Sequence, residues 1–522
     1  GEGYDELATD MANAVRKVDD DIMTFHDPAA RMPYVRDRHE DINLWDWTYT
    51  TPNALTLPYK IEVLRAMAEK PNDKICNYVQ VLWKRQTASD KNECPSASII
   101  RLGLLYSSSR PVYAAGHWNT GWMRVKPNRD RWEAVKHLSD NFWKPLGPVL
   151  TRLTVDRPRK IAFLVSHTNE LFTAKDRGTW KRFTAYAGWH EAFARAGLPV
   201  DIVFEEDVAE GKLVNYEALF IPLGELIGRS AHEKIVAFAE GGGKVVADHN
   251  LGYTVPNATI LENDLDHLVY PRWAWMLVKR KGNGTPNDER LKKMWATTAE
   301  IERVFADIRR QGPTPGDRWL IVNERRTEGG ARYLYAVNDH RAPGPIGKKY
   351  GVMIESGRPL TATVAIPDAA GIGAVYDLTT HRRVDLPAGR QGNRLTIEAD
   401  YPPASAKVFA LAPKPIGTLE VTVPENPVRP GQPFTLSARL LDEDGGAVPG
   451  AMPLKLTVRD GQGSRSEYSD HFAFVDGDWS LKGHIAMNDT PGTWSVTVKD
   501  LASGKTVTRY FEVPVEGETA RR

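Results

Sequence analysis

Strand-like and helical segments alternate over the first half of the chain, and this alternation limits the possible folds more than any other feature. Short apolar runs lie at residues 22–25, 42–45, 75–82 and 112–115, and segments with apolar residues at helical spacing separate the later ones. Runs of this length that alternate in this way are typical of βα units, which build parallel sheets. We therefore predict a four-stranded α/β unit over residues 1–150.

A second and more regular alternation begins after residue 158. The predicted strands and helices cover residues 160–166, 180–197, 201–206, 216–222, 230–243 and 244–249 in turn. Ser230 is the predicted N-cap of its helix, because Glu233 stands at the capping-box position. The pattern predicts a flavodoxin-like, doubly wound α/β domain over residues 158–312, with a helical extension from about residue 262.

From about residue 316 the pattern becomes all-β, with short strand-like runs between Gly, Pro and Asp turns. Residues 313–413 predict one β-sandwich. Residues 414–516 contain six strand-like runs and predict a second sandwich of immunoglobulin-like size and strand spacing. The expected fold class is thus multidomain, α/β followed by all-β. Because immunoglobulin-like modules are typical of exported proteins, we expect an extracytoplasmic location, whether periplasmic, cell-surface or secreted.

Composition excludes several classes of protein. Lys and Arg total 68 against 67 Asp and Glu, so no global charge favours nucleic acid or an anionic membrane as a partner. No apolar run reaches the roughly 18 residues of a membrane span. Cys76 and Cys94 form either one disulfide or two unpaired thiols, and two cysteines are too few for a zinc site by themselves. We predict no cofactor and no metal, and the N-terminal Gly1 suggests a processed or truncated chain.

The second α/β segment carries a family resemblance. Residues Arg159 to Asn250, with KIAFLVS, DIVFEED, YEALFIPLGELI and SAHEKIVAFAEGGGKVVADHN, resemble the class I glutamine-amidotransferase-like domain of bacterial glycoside hydrolases of the barrel β-galactosidase type. In that family the domain often serves for trimerization, so the resemblance implies a homo-oligomer, with a trimer as the first expectation. Amidotransferases carry a cysteine on a nucleophile elbow in this domain. The chain has no Cys after Cys94, which excludes thiolate chemistry here.

The first 150 residues are similar to the C-terminal half of a glycosidase (β/α)8 barrel. Strands ending in FHDP, LWDWTY, VQVLW and AAGHWNTGW would be its fifth to eighth. A full barrel needs about 200 to 250 residues, so four βα units fit here and eight do not. Either the first half lies on another chain or was removed, or these residues form a smaller α/β unit.

The strand ends supply the candidate site residues, because barrels place their functional groups there. Glycoside hydrolysis uses two carboxylates, and Asp27 and Asp46 are those available at the strand ends. Aromatic rings hold the apolar face of a sugar, and polar groups hold its hydroxyls. The predicted substrate-binding residues are His26, Trp45, Trp47, Gln80, Trp83, His117, Trp118, Asn119 and Trp122. Seven of the 15 Trp lie in the first 150 residues, most of them at or just beyond strand ends.

Each of these residues also has a structural interpretation. Asp27 fits a strand-ending turn that bonds nearby backbone N–H groups. Trp45 and Trp47, two residues apart, fit a core-facing pair, with Asp46 then on the opposite face. In the α/β domain, His167, Glu170, Asp248 and His249 stand at strand ends and fit a metal or anion site less well than a structural role.

The chain also departs from the family pattern. Retaining β-galactosidases place a glutamate nucleophile at the end of the seventh strand, and KICNYVQVLWKRQ has no carboxylate there. The acid/base glutamate belongs to the fourth strand, outside this half. Two hypotheses therefore stay open. One is a glycosidase that acts on an oligo- or polysaccharide, with a second chain supplying the other half barrel. The other is an inactive glycan-binding or structural subunit of an extracytoplasmic assembly.

Overall fold

A computed structural model gives the fold. It describes residues 10–11, 13–19, 25–26, 42–49, 56–67, 74–80, 96–110, 114–118, 129–263, 265, 288–342, 346–347, 352–353, 355–385 and 390–515. In the first four strands it describes the backbone alone. Within these ranges no helix combines the length and the apolar character that crossing a membrane requires.

The N-terminal unit is a parallel sheet with helices between its strands. After α1, which includes residues 13–16, come β1 Phe25–His26, β2 Ile42–Tyr49, α2 Thr56–Met67, β3 Lys74–Gln80, α3 Ala97–Ser108 and β4 Ala114–Trp118. The four strands pair in sequential order, β1-β2-β3-β4, and every pair is parallel. Helix α2 contacts β2, and α3 contacts β3 and β4. This is the α/β arrangement that the alternation predicts; that it is half of a barrel stays a prediction.

Helix α3 begins where a hydroxyl can satisfy its free N–H groups. Ser96 is the N-cap, and its Oγ accepts a hydrogen bond from the Ile99 N–H at 3.2 Å, as expected for a serine before an apolar helix. A second helical block follows β4, made of α4 Arg129–Leu138, a π-helical turn Ser139–Trp143 and α5 Lys144–Leu150. Strand β5, Val155–Asp156, then leads into the next unit.

The second α/β unit has five parallel strands. Its elements are β6 Ile161–Val165, α6 His167–Arg195, β7 Val200–Phe204, α7 Glu205–Ala209, a 3₁₀ turn Lys212–Asn215, β8 Ala218–Ile221, α8 Arg229–Glu240, β9 Lys244–Ala247 and β10 Thr259–Ile260, followed by α9 Asp288–Val304 and α10 Ala306–Arg309. The strand order β7-β6-β8-β9-β10 equals the flavodoxin-like order 2-1-3-4-5.

Two predicted details of this unit differ from the structure. The first helix begins at His167, after the N-cap Ser166, and not near residue 180, because its polar first turns lack an apolar repeat. The capping box at Ser230 and Glu233 is wrong, because α8 begins at Arg229 with Gly228 as its N-cap. The Gly228 N–H donates to Glu205 Oε1 at 2.6 Å, so a carboxylate from another element accepts the N-cap N–H, as the glutamate of a capping box would.

Two antiparallel sandwiches complete the chain. The strands of the first are β11 Thr314–Pro315, β12 Leu320–Arg326, β13 Arg332–Asn338, β14 Arg341–Ala342, β15 Ile346–Gly347, β16 Val352–Met353, β17 Ser356–Gly357, β18 Leu360–Ile366, β19 Ala374–Asp377, β20 Arg382–Arg383, β21 Arg390–Gln391, β22 Arg394–Tyr401 and β23 Ala406–Ala412. Its two main sheets have the orders β11-β18-β22-β21 and β20-β19-β23-β13-β12-β5. The edge strand β5 of this sheet therefore belongs to the segment that precedes the second α/β unit in the chain.

The second sandwich has seven strands where the sequence pattern predicted six. They are β24 Ile416–Thr422, β25 Pro433–Asp442, β26 Ala451–Arg459, β27 His471–Val475, β28 Asp478–His484, β29 Gly492–Asp500 and β30 Thr506–Val513. The overlooked strand is β27. The pairing order of the seven strands, β24-β25-β28-β27-β26-β29-β30, is similar to the order A-B-E-D-C-F-G of constant-type immunoglobulin domains.

Candidate functional site

The register of the four-stranded sheet determines which predicted site residues lie side by side. His117 of β4 pairs with Val79 of β3, which pairs with Thr48 of β2. One residue further along, Trp118, Gln80 and Tyr49 form the next row. Because all strands run in parallel, both rows lie at the same carboxyl edge of the sheet, where ligands of α/β folds bind.

Residues two apart on a strand share one face of the sheet, and this separates the candidates. His26 pairs with Asn43, which lies two residues before Trp45 on β2. Trp45 pairs with Asn77, which lies two residues before Val79 on β3, and Val79 pairs with His117. His26, Trp45 and His117 therefore occupy one face, which we call the polar face. Gln80 and Trp118 occupy the opposite face. The register thus places three of the predicted residues, on β1, β2 and β4, on one face of the sheet and the other two on the opposite face.

A β-bulge interrupts the alternation at the predicted catalytic position. Trp45 pairs with Asn77 and Thr48 pairs with Val79, so Asp46 and Trp47 together stand opposite a single residue of β3. The two-residue spacing that would place Trp45 and Trp47 on one face, with Asp46 on the other, does not hold across this irregularity. Bulges re-aim residues and are frequent beside active sites.

The polar face contains two residues that sequence reasoning missed. Asn43 and Asn77 share it with His26, Trp45 and His117. Asn43 lies two residues before Trp45, and Asn77 lies two residues before Val79, so the period-2 spacing of a strand could have identified both. The prediction covered the strand ends only. Four other candidates, Asp27, Trp83, Asn119 and Trp122, lie outside the described residues.

A buried ion cluster fixes the helix that follows β2. Glu62 of α2 accepts from Arg110 Nε at 2.5 Å and from Arg159 Nη1 at 2.6 Å, and all three side chains are buried. Burial alone would raise the pKa of Glu62. The guanidiniums of Arg159, Arg65 and Arg110 outweigh it and hold the pKa well below its usual range. One carboxylate therefore joins α2, the segment before β4 and the start of β6.

The same helix contributes to the core of the second α/β unit. Tyr59 lies 5.8 Å from His190 and 6.4 Å from Tyr186 between ring centroids, and Tyr186 packs edge-on against Phe163 of β6. Burial lowers the pKa of His190 to about 3, so this imidazole is neutral at physiological pH. The four-stranded sheet and the second α/β unit are thus joined by a shared hydrophobic core as well as by charge.

The strand ends of the second α/β unit are occupied by structural contacts. Both carboxylate oxygens of Glu205 are saturated, by Ser166 Oγ at 2.6 Å, Thr168 Oγ1 at 2.7 Å, the Thr168 N–H at 3.0 Å and the Gly228 N–H. Asp248 accepts from the Leu223 N–H at 2.8 Å and the Asn250 N–H at 2.9 Å. His167 Nδ1 lies 3.2 Å from Glu206 Oε1.

No group of metal-binding side chains occurs among the residues that the structure describes. The predicted set of His167, Glu170, Asp248 and His249 is therefore not gathered into such a site. Directly after β8, Leu223 has a left-handed backbone with φ 53°, which is the strained turn that a nucleophile elbow would use. Its leucine side chain is buried and offers no nucleophile.

A family profile described as the beta-galactosidase trimerisation domain matches residues 159–265. This segment is similar to a beta-galactosidase trimerisation domain. The resemblance to glycoside hydrolases of the barrel β-galactosidase type is confirmed on this domain, and it favours a glycosidase among the function classes considered. Arg159 of the Glu62 cluster is the first residue of the segment that matches this profile, and Arg110 precedes the last strand of the four-stranded sheet. The cluster therefore links that sheet to the matched segment.

Three solved structures that align with this chain come from an alpha-L-fucosidase, a beta-galactosidase and an exo-carrageenase. Alpha-L-fucosidase isoenzyme 2 from Paenibacillus thiaminolyticus aligns over 78% of this chain and 71% of its own, with a TM-score of 0.51 and 11% identity. A beta-galactosidase from Bacillus circulans sp. alkalophilus aligns over 77% and 65%, with a TM-score of 0.45 and 12% identity. An exo-carrageenase GH42 from Bacteroides ovatus aligns over 78% and 55%, with a TM-score of 0.45 and 10% identity.

At such identities the likeness to the fucosidase shows a shared fold alone. The chain spans between 55% and 71% of the length of these three structures. No curated protein sequence matches it.

Proposed function

We propose that this chain is the C-terminal part of a glycoside hydrolase that acts on an oligo- or polysaccharide, with its sugar site at the carboxyl edge of the four-stranded sheet. The observation that supports this best is the order of the parts. A sequentially ordered parallel sheet with His26, Trp45 and His117 on one face directly precedes a beta-galactosidase trimerisation domain. The sheet corresponds in this proposal to the fifth to eighth strands of a (β/α)8 barrel.

The proposed chemistry assigns the two carboxylates to opposite sides of the glycosidic bond. One of Asp27 and Asp46 protonates the leaving oxygen, and the other acts as nucleophile or activates water. The bulge at Asp46 and Trp47 supports a functional role for this segment of β2. Tryptophan rings of the first unit stack on the sugar, and the imidazoles and amides of the polar face hold its hydroxyls.

The test is hydrolysis of a glycan panel by wild type and by Asp27→Asn and Asp46→Asn. The panel includes β-galactosides, after the domain family, and α-L-fucosides, after the enzyme of similar fold. We expect each variant to lose at least about 10³-fold in turnover, because it removes a carboxylate that acts only in the transition state. Asp478→Asn, on the distant strand β28, is the matched control and should match wild type. Unchanged turnover in both site variants would remove the assignment.

Assembly distinguishes the enzyme from the alternative, an inactive glycan-binding or structural subunit. We propose a homo-oligomer, with three copies as the expected number, in an extracytoplasmic compartment. Native mass spectrometry of the protein purified from its source should give three times the mass of one chain, alone or with a second chain. A second chain that supplies the other half barrel supports the enzyme. A homo-oligomer without such a chain, and without activity on the panel, supports the binding subunit. A monomer contradicts the assembly proposal.

A further inference from the structure

Three neighbouring strands of the second sandwich present an outer face that is polar throughout. Strands β26, β29 and β30 pair in this order, and their outward residues form rows across the sheet. The rows are Arg459–Ser495–Tyr510, Thr457–Thr497–Thr508 and Lys455–Lys499–Thr506. The residues between them, such as Val458, Val496 and Phe511, are buried, so the alternation leaves these rows on the outside. We call these nine residues the basic face.

The charge of this face is predominantly positive. Lys455 and Arg459 are exposed and Lys499 is partly exposed, and no described carboxylate lies within ion-pair distance of any of the three. Arg465 is exposed and forms an isolated antiparallel β-bridge with Arg459, so it adds a fourth cation at the edge of the basic face.

Two histidines and two carboxylates border the basic face. His471 stands opposite Lys455 in register, and His381 of the first sandwich bonds the Leu501 carbonyl at 2.9 Å. Glu512 accepts a hydrogen bond from Thr493 Oγ1 at 2.6 Å, and Asp470 lies 3.9 Å from His471 Nδ1. The carboxylates thus stand at the edges, and the centre of the face retains its cations.

An exposed ring and a ladder of hydroxyls complete the face. Tyr510 is 62% exposed, which is unusual for a tyrosine on a regular strand, and it stands beside Ser495 in register. The hydroxyls of Thr497 and Thr508 lie 2.9 Å apart and can each turn toward a ligand. A flat ring stacks on the apolar face of a sugar, hydroxyls match sugar hydroxyls, and cations match sulfate or carboxylate groups. Arg459 Nη1 also donates to the Gly463 carbonyl at 2.7 Å, so this guanidinium can offer its other N–H groups to a ligand.

We propose that the basic face binds an acidic polysaccharide, whose sulfate or carboxylate groups contact Lys455, Lys499 and Arg459 while one sugar stacks on Tyr510. A nucleic acid fits less well, because base stacking along a strand uses several aromatic rings and this face has one. The proposal does not rest on hydrolysis, since the basic face belongs to a different sandwich from the proposed catalytic sheet.

The experiment compares dextran sulfate with unmodified dextran, which share a backbone and differ in charge. We expect the full chain to bind dextran sulfate and not dextran, by affinity electrophoresis. The double variant Lys455→Glu with Lys499→Glu should bind at least about tenfold more weakly, because two attractive contacts become repulsive. Tyr510→Ala should also weaken binding, by about tenfold if the ring stacks.

The control is Lys482→Glu, an exposed lysine on β28, outside the three strands of the basic face. It should retain wild-type affinity, and thermal unfolding should be the same in all variants. The proposal is overturned if dextran sulfate does not bind, or if the double variant binds as tightly as the control. It is also overturned if duplex DNA binds as tightly as dextran sulfate and Tyr510→Ala changes neither, since that result indicates charge attraction without sugar recognition.

Discussion

Replacing Glu62 by glutamine is expected to destabilise the chain by about 3–5 kcal/mol, because the change leaves two buried guanidiniums without their shared carboxylate. Glu62 has 3% of its side chain exposed, and Arg110 and Arg159 have 4% and 5%. Arg159 also bonds the Val200 carbonyl at 2.6 Å and pairs with Asp201 at 3.2 Å, whereas the Glu62 carboxylate receives Arg110 Nε at 2.5 Å. Urea denaturation at pH 7 measures the loss.

The matched control is Glu133→Gln, whose 2.9 Å pair with Arg129 is exposed on α4. Such a pair contributes about 0–1 kcal/mol, so the control should unfold close to wild type. The pH dependence gives a second readout. The pKa of Glu62 is lowered in the folded state, so its stabilisation is present above the unfolded value of about 4.3 and is lost as pH falls through the folded value. The difference between wild type and Glu62→Gln should therefore narrow below about pH 4. Equal destabilisation by the two variants at pH 7 would contradict the role of the cluster.

Arg325→Met should cost about 3 kcal/mol or more of unfolding free energy and should loosen the first sandwich from the N-terminal unit. The fully buried guanidinium of Arg325, on β12, donates to the Ser108 carbonyl at 3.0 Å, the Leu150 carbonyl at 2.9 Å and the Leu153 carbonyl at 3.1 Å. These carbonyls lie at the C-terminal ends of α3 and α5, where backbone acceptors lack partners within the helix. A cation there also interacts favourably with both helix dipoles. Methionine fills similar space and satisfies none of the carbonyls.

The adjacent residue supplies the control for Arg325. Arg326 is 31% exposed and pairs with Glu324 at 2.9 Å, so Arg326→Met should change stability by less than about 1 kcal/mol. Thermal unfolding and limited proteolysis measure the stability of the two variants. If Arg325→Met has the same melting temperature and the same protease resistance as wild type, the guanidinium does not hold the first sandwich against α3 and α5.

The alternation of strands and helices was sufficient to predict most of the fold. It identified the four strands of the first sheet, four of the five strands of the second α/β unit and the all-β remainder, because each depends on local periodicity. The two-residue strand β10 is too short to show a periodicity. Contacts between distant segments were not predictable. The Gly228 cap is provided by Glu205, 23 residues earlier, and no local signal at Ser230 reveals that competition. Strand β5 joins a sheet whose other strands begin after residue 319, which periodicity does not show.

The candidate site was predictable in its location and less so in its arrangement. Strand-end polarity led to His26, Trp45 and His117, which the register places on one face. The separation of Gln80 and Trp118 onto the opposite face depends on the pairing register. The displacement of Asp46 depends on a bulge that adds one residue to β2. Both are properties of pairs of strands, so the sequence of a single strand does not contain them.

The most direct test of the proposed function is the initial rate of sugar release by Asp46→Asn relative to wild type, on the panel substrate that wild type hydrolyses fastest. The proposal predicts a fall of at least about 10³-fold with an unchanged melting temperature, because the carboxylate at the bulge then takes part in the reaction and not in folding. A rate within a factor of two of wild type, with the fold intact, would contradict the assignment of Asp46 as a catalytic carboxylate.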